Sequence, residues 1–132
     1  MFSKLFGSKP VPLTGAPPVR RQKTYSAQSG YVYQYYYEGQ RPTRPQRGVE
    51  FVFDVSADRK TSSAVSVLVP EDVVESWERD HGRALNSTER YAIAKMALFQ
   101  AFDQRESPAG MGAPVRVDAA AAAEILRTLE ID

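Results

Sequence analysis

The chain of 132 residues contains no cysteine and only one histidine, His81. Without cysteine it cannot form disulfides, use a thiolate nucleophile, or bind iron–sulfur clusters or cysteine-ligated zinc. A single histidine excludes a histidine metal cluster and most histidine-based triads, and its position at a predicted helix end favours a capping role. The glycines match neither a phosphate-binding loop nor a dinucleotide fingerprint. The sequence therefore predicts a protein that is not an enzyme and that binds no cofactor or metal.

Long hydrophobic runs are also absent. No window approaches the roughly 18 apolar residues that are needed to cross a bilayer. Near the N-terminus, Pro10, Pro12, Pro17 and Pro18 interrupt the region where a signal peptide needs a continuous apolar stretch. We therefore expect a soluble, cytoplasmic protein with no transmembrane segment and no export signal.

Acidic residues are scarce at the beginning of the chain. Residues 1–48 hold 8 of the 17 basic residues but only 1 of the 16 acidic residues, Glu38, which gives a local net charge of +7. Residues 49–132 carry a net charge of −6, so the overall value of +1 hides a strong separation. Such a separation is typical of a basic tail that contacts a partner and an acidic body that folds.

The basic part begins with an extended segment, and we predict a Pro-rich N-terminal arm over residues 1–30. Most of this segment is rich in Pro, Gly, Ser and Thr, and it cannot bury enough apolar surface to fold alone. Phe2, Leu5 and Phe6 share one face of a single potential helical turn. They are either an apolar anchor for a partner or a frayed terminus, because one turn is too short to be stable in water.

Three segments after the arm have the patterns of strands. The aromatic run at about 31–37 is the strongest, 49–55 alternates between apolar and polar residues, and a third strand covers about 64–69. We interpret residues 39–48, which include two prolines, as a loop, and 57–61 as a hairpin connection. Short links between successive strands predict an antiparallel meander.

Helical patterns follow the third strand. We predict helices at about 71–81, 87–104 and 119–130, and a short edge strand near 115–117. The second helix is apolar on nearly all sides, which indicates that it lies in the centre of the fold or in an interface. The predicted fold of residues 31–132 is therefore α+β, a small antiparallel sheet of three to four strands with two to three helices packed on one face.

The tyrosines of the first predicted strand have two interpretations. Tyr31, Tyr33, Tyr35 and Tyr37 share one face of the strand. If that face is exposed beside the arginines, its rings can stack on nucleic-acid bases. Carboxylates such as Glu50 on the solvent face of the next strand argue against this function, since they repel phosphates. The alternative is that the rings pack in the core or against another subunit, with their hydroxyls at the rim.

Two clusters of cations are further candidates for partner binding. The first is Arg20, Arg21 and Lys23, followed by Tyr25, and the second is Arg41, Arg44 and Arg47. These cations suit an acidic protein surface, nucleic-acid phosphates or acidic lipid head groups. Alternatively they are solvated, or the arm lies across its own acidic domain.

Together these features favour a non-enzymatic interaction protein, an accessory subunit that docks onto a larger protein assembly or an acidic protein surface through the arm and an aromatic sheet surface. A homo-oligomer is possible within this hypothesis. The alternative is a nucleic-acid-binding protein that uses the basic arm and the Tyr-rich strand. The candidate partner-binding residues are Phe2, Leu5, Phe6, Arg20, Arg21, Lys23, Tyr25, Tyr31, Tyr33, Tyr35, Tyr37, Arg41 and Arg44.

Overall fold

The structure is a computed structural model that describes residues 11–132, so the candidate anchor residues Phe2, Leu5 and Phe6 lie outside the described part. The strands are β1 (Lys23–Ser26), β2 (Val32–Thr43), β3 (Gly48–Ser56), β4 (Ser63–Pro70) and β5 (Val115–Arg116). The helices are α1 (Glu71–His81), α2 (Ser87–Gln104) and α3 (Ala119–Thr128), and a 3-10 helix (Pro108–Gly112) precedes β5.

The five strands form one sheet whose order follows the chain from β1 to β5. The first four strands pair antiparallel, whereas β5 pairs parallel to β4 after a connection that contains α1 and α2. The predicted α+β fold with an antiparallel meander is therefore confirmed. The edge strands β1 and β5 extend the three central strands, and the parallel pair needs the long helical crossover because parallel neighbours cannot be joined by a tight turn.

The helices begin and end at residues with clear local signals. α1 follows Pro70 and ends at Gly82, which adopts the left-handed conformation with φ of 67°. At the start of α2, Asn86 accepts a hydrogen bond from the Glu89 N–H while the Glu89 side chain accepts one from the Asn86 N–H. Asp118 caps α3 in a similar way. No helix within residues 11–132 is long and apolar enough to cross a membrane.

The core lies between one face of the sheet and the helices. Alternate residues of the central strands point to this face, as a period of two requires, and α2 supplies buried residues on several sides. Each large apolar side chain buried here stabilises the fold by roughly 1.5–3 kcal/mol. The largest fully buried residues are Tyr33, Phe51, Phe53, Phe102, Ile93, Leu98, Ile125, Leu126, Val65, Val67 and Val117.

The predicted loop over 39–48 is wrong, because β2 continues to Thr43. A β-bulge between Tyr37 and Gly39 interrupts the pairing with β3 without ending it. Pro42 is tolerated within the strand because β1 pairs only with the first part of β2, so none of the strands in residues 11–132 requires the missing N–H. The turn is confined to the residues between Thr43 and Gly48.

Part of the predicted arm belongs to the sheet. β1 pairs with Val32–Tyr35, and further back Thr14 and Gln40 exchange two backbone hydrogen bonds of 2.9 and 2.8 Å. The described part of the arm is thus attached to the edge of β2 of its own chain at Thr14 and at β1. The sequence did not indicate β1 because a strand of four largely polar residues carries almost no apolar alternation.

Gly39 provides a test of this attachment. Its φ is 124°, and a Cβ atom at this position would lie 2.8 Å from the carbonyl oxygen of Thr14. Gly30 also has a positive φ, 98°, but a Cβ there meets no atom within 4 Å. We expect Gly30→Ala to lower the free energy of unfolding by roughly 1–3 kcal/mol through backbone strain, and Gly39→Ala to cost more through the added clash. Equal losses in urea denaturation would contradict the close contact between Thr14 and the bulge.

Candidate binding site

The alternate tyrosines of β2 face the helices and not the solvent. Tyr33 and Tyr35 are only 0% and 4% exposed, and Tyr37 is half-buried. Tyr31, which directly precedes β2, is 40% exposed. The predicted aromatic sheet surface is therefore wrong for Tyr33 and Tyr35. Their rings are in the core because the opposing helix offers aromatic partners at matching positions.

Stacked aromatic rings connect β1 and β2 to α2. The Tyr33 ring stacks on Phe102 with a centroid distance of 4.1 Å, and the Tyr25 ring stacks on Phe99 at 4.3 Å. Tyr35 contacts the Phe99 ring edge-on at 5.7 Å. Such pairs add about 0.5–1.5 kcal/mol each beyond the area they bury. The tyrosines of the sheet thus hold α2 at a fixed position across the face of β2.

Asp103, near the end of α2, secures the hairpin between β1 and β2. Its carboxylate accepts hydrogen bonds from the Tyr25 hydroxyl at 2.8 Å and from the Gln28 N–H at 2.9 Å. Ser29 donates to the Phe102 carbonyl at 2.9 Å. By contrast, the Tyr33 hydroxyl is buried with no hydrogen-bond partner among the described residues.

Because only the Tyr25 hydroxyl is hydrogen-bonded, the same Tyr→Phe substitution should affect stability differently at Tyr25 and at Tyr33. Tyr25→Phe removes a hydrogen bond to a carboxylate and should lower the free energy of unfolding by roughly 1–2 kcal/mol. Tyr33→Phe removes a hydroxyl that is not hydrogen-bonded and should leave stability unchanged or raise it by up to about 1 kcal/mol. Urea denaturation of both variants measures these changes. A large loss in Tyr33→Phe would show that its hydroxyl has a partner in solution.

The cations of the arm lie on both sides of the sheet, with Arg20 on one side and Arg21 and Lys23 on the other. Arg20 lies on the side away from the helices, where its guanidinium binds the carboxylates of Glu38 and Asp54, each at 3.0 Å, and covers the Tyr36 ring at 3.7 Å. Arg21 and Lys23 lie on the helix side. The acidic face recognised in the sequence thus binds one cation of the arm of its own chain, and it leaves the other two cations without an ion pair among the described residues.

Arg41 makes a second internal pair on the same face as Arg20. It binds Glu50 at 2.8 Å, and the Ser66 hydroxyl donates to the same carboxylate. Burial alone raises the pKa of Glu50, but the hydrogen bonds from Ser66 and Arg41 outweigh it, so its pKa lies below the ordinary value. Of the second predicted cluster, Arg44 and Arg47 remain exposed on the turn between β2 and β3.

A groove on the helix side of the sheet is lined by Arg21 and Lys23, the two arm cations that form no ion pair among the described residues. It has a volume of about 600 Å³ and lies between the arm, β2 and the first turn of α2. We call it the tyrosine groove. Its lining residues are Gly15, Pro17, Arg21, Lys23, Tyr35, Tyr37, Gln40, Ser87, Thr88 and Tyr91, and none of these is acidic.

The phenols of the tyrosine groove remain protonated over a wide pH range. Burial, with a smaller contribution from the neighbouring Tyr91, raises the pKa values of Tyr35 and Tyr37 to about 12. Burial also raises the pKa of Tyr91. Tyr37 donates to the Gln40 side chain at a long 3.4 Å, whereas Tyr35 has no hydrogen-bond partner within residues 11–132. The groove therefore presents neutral hydroxyl donors next to two cations.

Four of the lining residues are among those that the sequence pattern predicts, and the others are not. Arg21, Lys23, Tyr35 and Tyr37 were candidates from the arm and the aromatic run. The α2 residues of the groove were not candidates. The sequence places Tyr91 in the apolar surface of a buried helix, and it assigns Ser87 and Thr88 only to the capped start of that helix. The signal available was the polar first turn of α2, which exposes Ser87 and Thr88 immediately before Tyr91.

The raised phenol pKa values predict a loss of stability in alkali. The folded protein retains the protons of Tyr35 and Tyr37 to about pH 12, whereas the unfolded chain loses them near pH 10. The stabilising contribution is therefore complete below pH 10 and disappears as the pH rises towards 12. We expect the free energy of unfolding, measured in urea across this window, to fall less steeply in Tyr35→Phe/Tyr37→Phe. An unchanged slope in this variant would contradict this account.

Residues 11–132 contain no group of three or more His, Asp or Glu side chains arranged to hold a metal ion. Comparisons of the chain with protein-family models, with curated proteins and with solved structures find no match. A function is therefore inferred from the arrangement of the arm, the sheet edge and the tyrosine groove.

Proposed function

We propose that the chain is a non-enzymatic interaction protein that docks onto an acidic surface of a larger protein assembly. One observation carries this proposal, namely the position of the exposed large apolar side chains in the described part of the chain. They are Val11, Val19, Tyr31 and Val32, which are 48%, 60%, 40% and 43% exposed. All four lie on the arm or at the start of β2, and we call this side of the molecule the docking edge. Exposed apolar side chains that are spaced along an edge together with cations suit a partner that lies along that edge.

The backbone of the docking edge also favours binding. Among the strands of residues 11–132, β1 is the first of the sheet and pairs only with β2, so within this part of the chain its outer side presents N–H and C=O groups without a neighbouring strand. An extended segment of a partner can add to such an edge as a further strand, with main-chain hydrogen bonds supplying affinity. The exposed valines then contact alternate side chains of the added strand.

Charge indicates the chemistry of the partner. From Val11 to Tyr37 the sequence contains no acidic residue, and Arg21 and Lys23 flank the outer strand without an ion pair among the described residues. An edge of this kind attracts an acidic segment and accelerates its association. The burial of Tyr33 and Tyr35 removes the stacking platform on which nucleic-acid binding depended, so the geometry supports a protein partner better.

The proposal is tested by changing the valines of the docking edge in the full-length protein. Val19→Glu/Val32→Glu places two carboxylates on this edge without altering residues that line the tyrosine groove. In affinity purification from the native cells with quantitative mass spectrometry, we expect recovery of the protein partner to fall about tenfold or more. The expected partner carries an acidic segment at the contact, which cross-linking to β1 identifies.

The matched control is Ala120→Glu/Ala123→Glu, which adds the same charge to exposed positions of α3. It should recover the partner at the wild-type level. If both double variants recover the same proteins, the docking edge is not the interface. If nuclease treatment removes the recovered material, the nucleic-acid alternative replaces the proposal.

A further inference from the structure

The tyrosine groove has the properties of a ligand site that adjoins the docking edge and shares Arg21 and Lys23 with it. We propose that it binds a small organic phosphate monoester, with the phosphate held by Arg21, Lys23 and the tyrosine and α2 hydroxyls. This inference does not depend on the proposed function, since a free small molecule can occupy the groove whether or not a protein binds at β1.

Tyr35 is the observation that points to a ligand. Its side chain is 4% exposed, lines the groove, and has no hydrogen-bond partner among the described residues. The ring is buried, but the hydroxyl is not among the buried atoms that lack a partner, so it is open to the groove and a ligand that accepts its hydrogen bond takes the place of water there. The Tyr35 ring is fixed edge-on against Phe99, so its position does not have to be created on binding.

The number and kind of donors favour a phosphate over a carboxylate. Two cations and five residues that carry a hydroxyl, three tyrosines, one serine and one threonine, line the groove, and no lining residue is acidic. A phosphate monoester offers three terminal oxygens with several lone pairs and close to two negative charges at neutral pH. A carboxylate offers two oxygens and a single charge, so it leaves part of this donor set unused.

The start of α2 adds a favourable field. Ser87 and Thr88 are the first residues of an 18-residue helix, and its positive end therefore adjoins the groove. The Asn86 side chain satisfies the Glu89 N–H, and the hydroxyls of Ser87 and Thr88 are left at the groove wall. Anions are stabilised at such helix ends, particularly where the lining also carries cations.

The size of the tyrosine groove indicates that the phosphate is attached to a larger body. A volume of about 600 Å³ lies in the range of small-molecule sites and exceeds what a free phosphate occupies. The rings of Tyr37 and Tyr91, whose centroids are 4.7 Å apart, form an aromatic wall with Pro17 nearby in the lining. This wall suits an aromatic or similarly flat organic body.

Isothermal titration calorimetry on the full chain at low salt tests the inference with three probes: phenyl phosphate, inorganic phosphate and benzyl alcohol. We expect phenyl phosphate to bind at one site per chain, inorganic phosphate to bind more weakly, and benzyl alcohol not to bind. Arg21→Gln/Lys23→Gln should weaken phenyl phosphate about tenfold or more, and Tyr35→Phe about threefold to tenfold without a change of charge. Circular dichroism confirms that each variant is folded.

The control for charge is Arg44→Gln/Arg47→Gln, which removes two exposed cations from the turn between β2 and β3. It should change the affinity less than about twofold, because these residues do not line the tyrosine groove. The inference is overturned if phenyl phosphate does not bind, if both double variants weaken binding equally, or if Tyr35→Phe has no effect. Failure of the groove can be distinguished from failure of the docking edge, because the test variant of the edge, Val19→Glu/Val32→Glu, changes no residue that lines the groove.

Discussion

The contact between the tyrosines of β1 and β2 and the aromatic side of α2 is the interaction on which the rest of the structure depends. Tyr25 and Tyr33 stack on Phe99 and Phe102, and Asp103 fastens the hairpin to the same helix. These contacts lie at the C-terminal half of α2, whereas near its start Tyr91 contacts Tyr37 of β2 and Ser87 and Thr88 line the tyrosine groove.

The second organising principle is the distribution of charge across the two faces of the sheet. On the face away from the helices, Arg20 and Arg41 are neutralised by Glu38, Asp54 and Glu50. On the helix face, Arg21 and Lys23 meet hydroxyls instead of carboxylates. The +7 charge of the first 48 residues is therefore not a uniform basic tail. The ion pairs of Arg20 attach the arm to the sheet, and Arg21 and Lys23 are available for ligands and partners.

The periodic segments of the fold were predictable from the sequence, and the parts that depend on contacts between distant segments were not. The strands 49–55 and 64–69 and the helices follow directly from apolar spacing and from caps such as Asn86 with Glu89. β1 was missed because four polar residues become a strand only when β2 is beside them. For the site, the sequence identified Arg21, Lys23, Tyr35 and Tyr37, but it could not show that the rings point inward or that Tyr91 lies opposite them.

The attachment of the arm at two points determines the shape of the tyrosine groove. The bridge from Thr14 to Gln40 and the pair of Lys23 with Tyr35 are nine positions apart in the arm but only five apart in β2. The arm thus has 9 − 5 = 4 more positions than the strand over this span, and Gly15, Pro17 and Arg21 from this stretch line the groove. The width of the groove is thus a matter of segment length, and doubling the length of such a loop costs only about 0.6 kcal/mol. Insertions and deletions between Gly15 and Gln22 can therefore alter which ligand fits while the aromatic core stays unchanged.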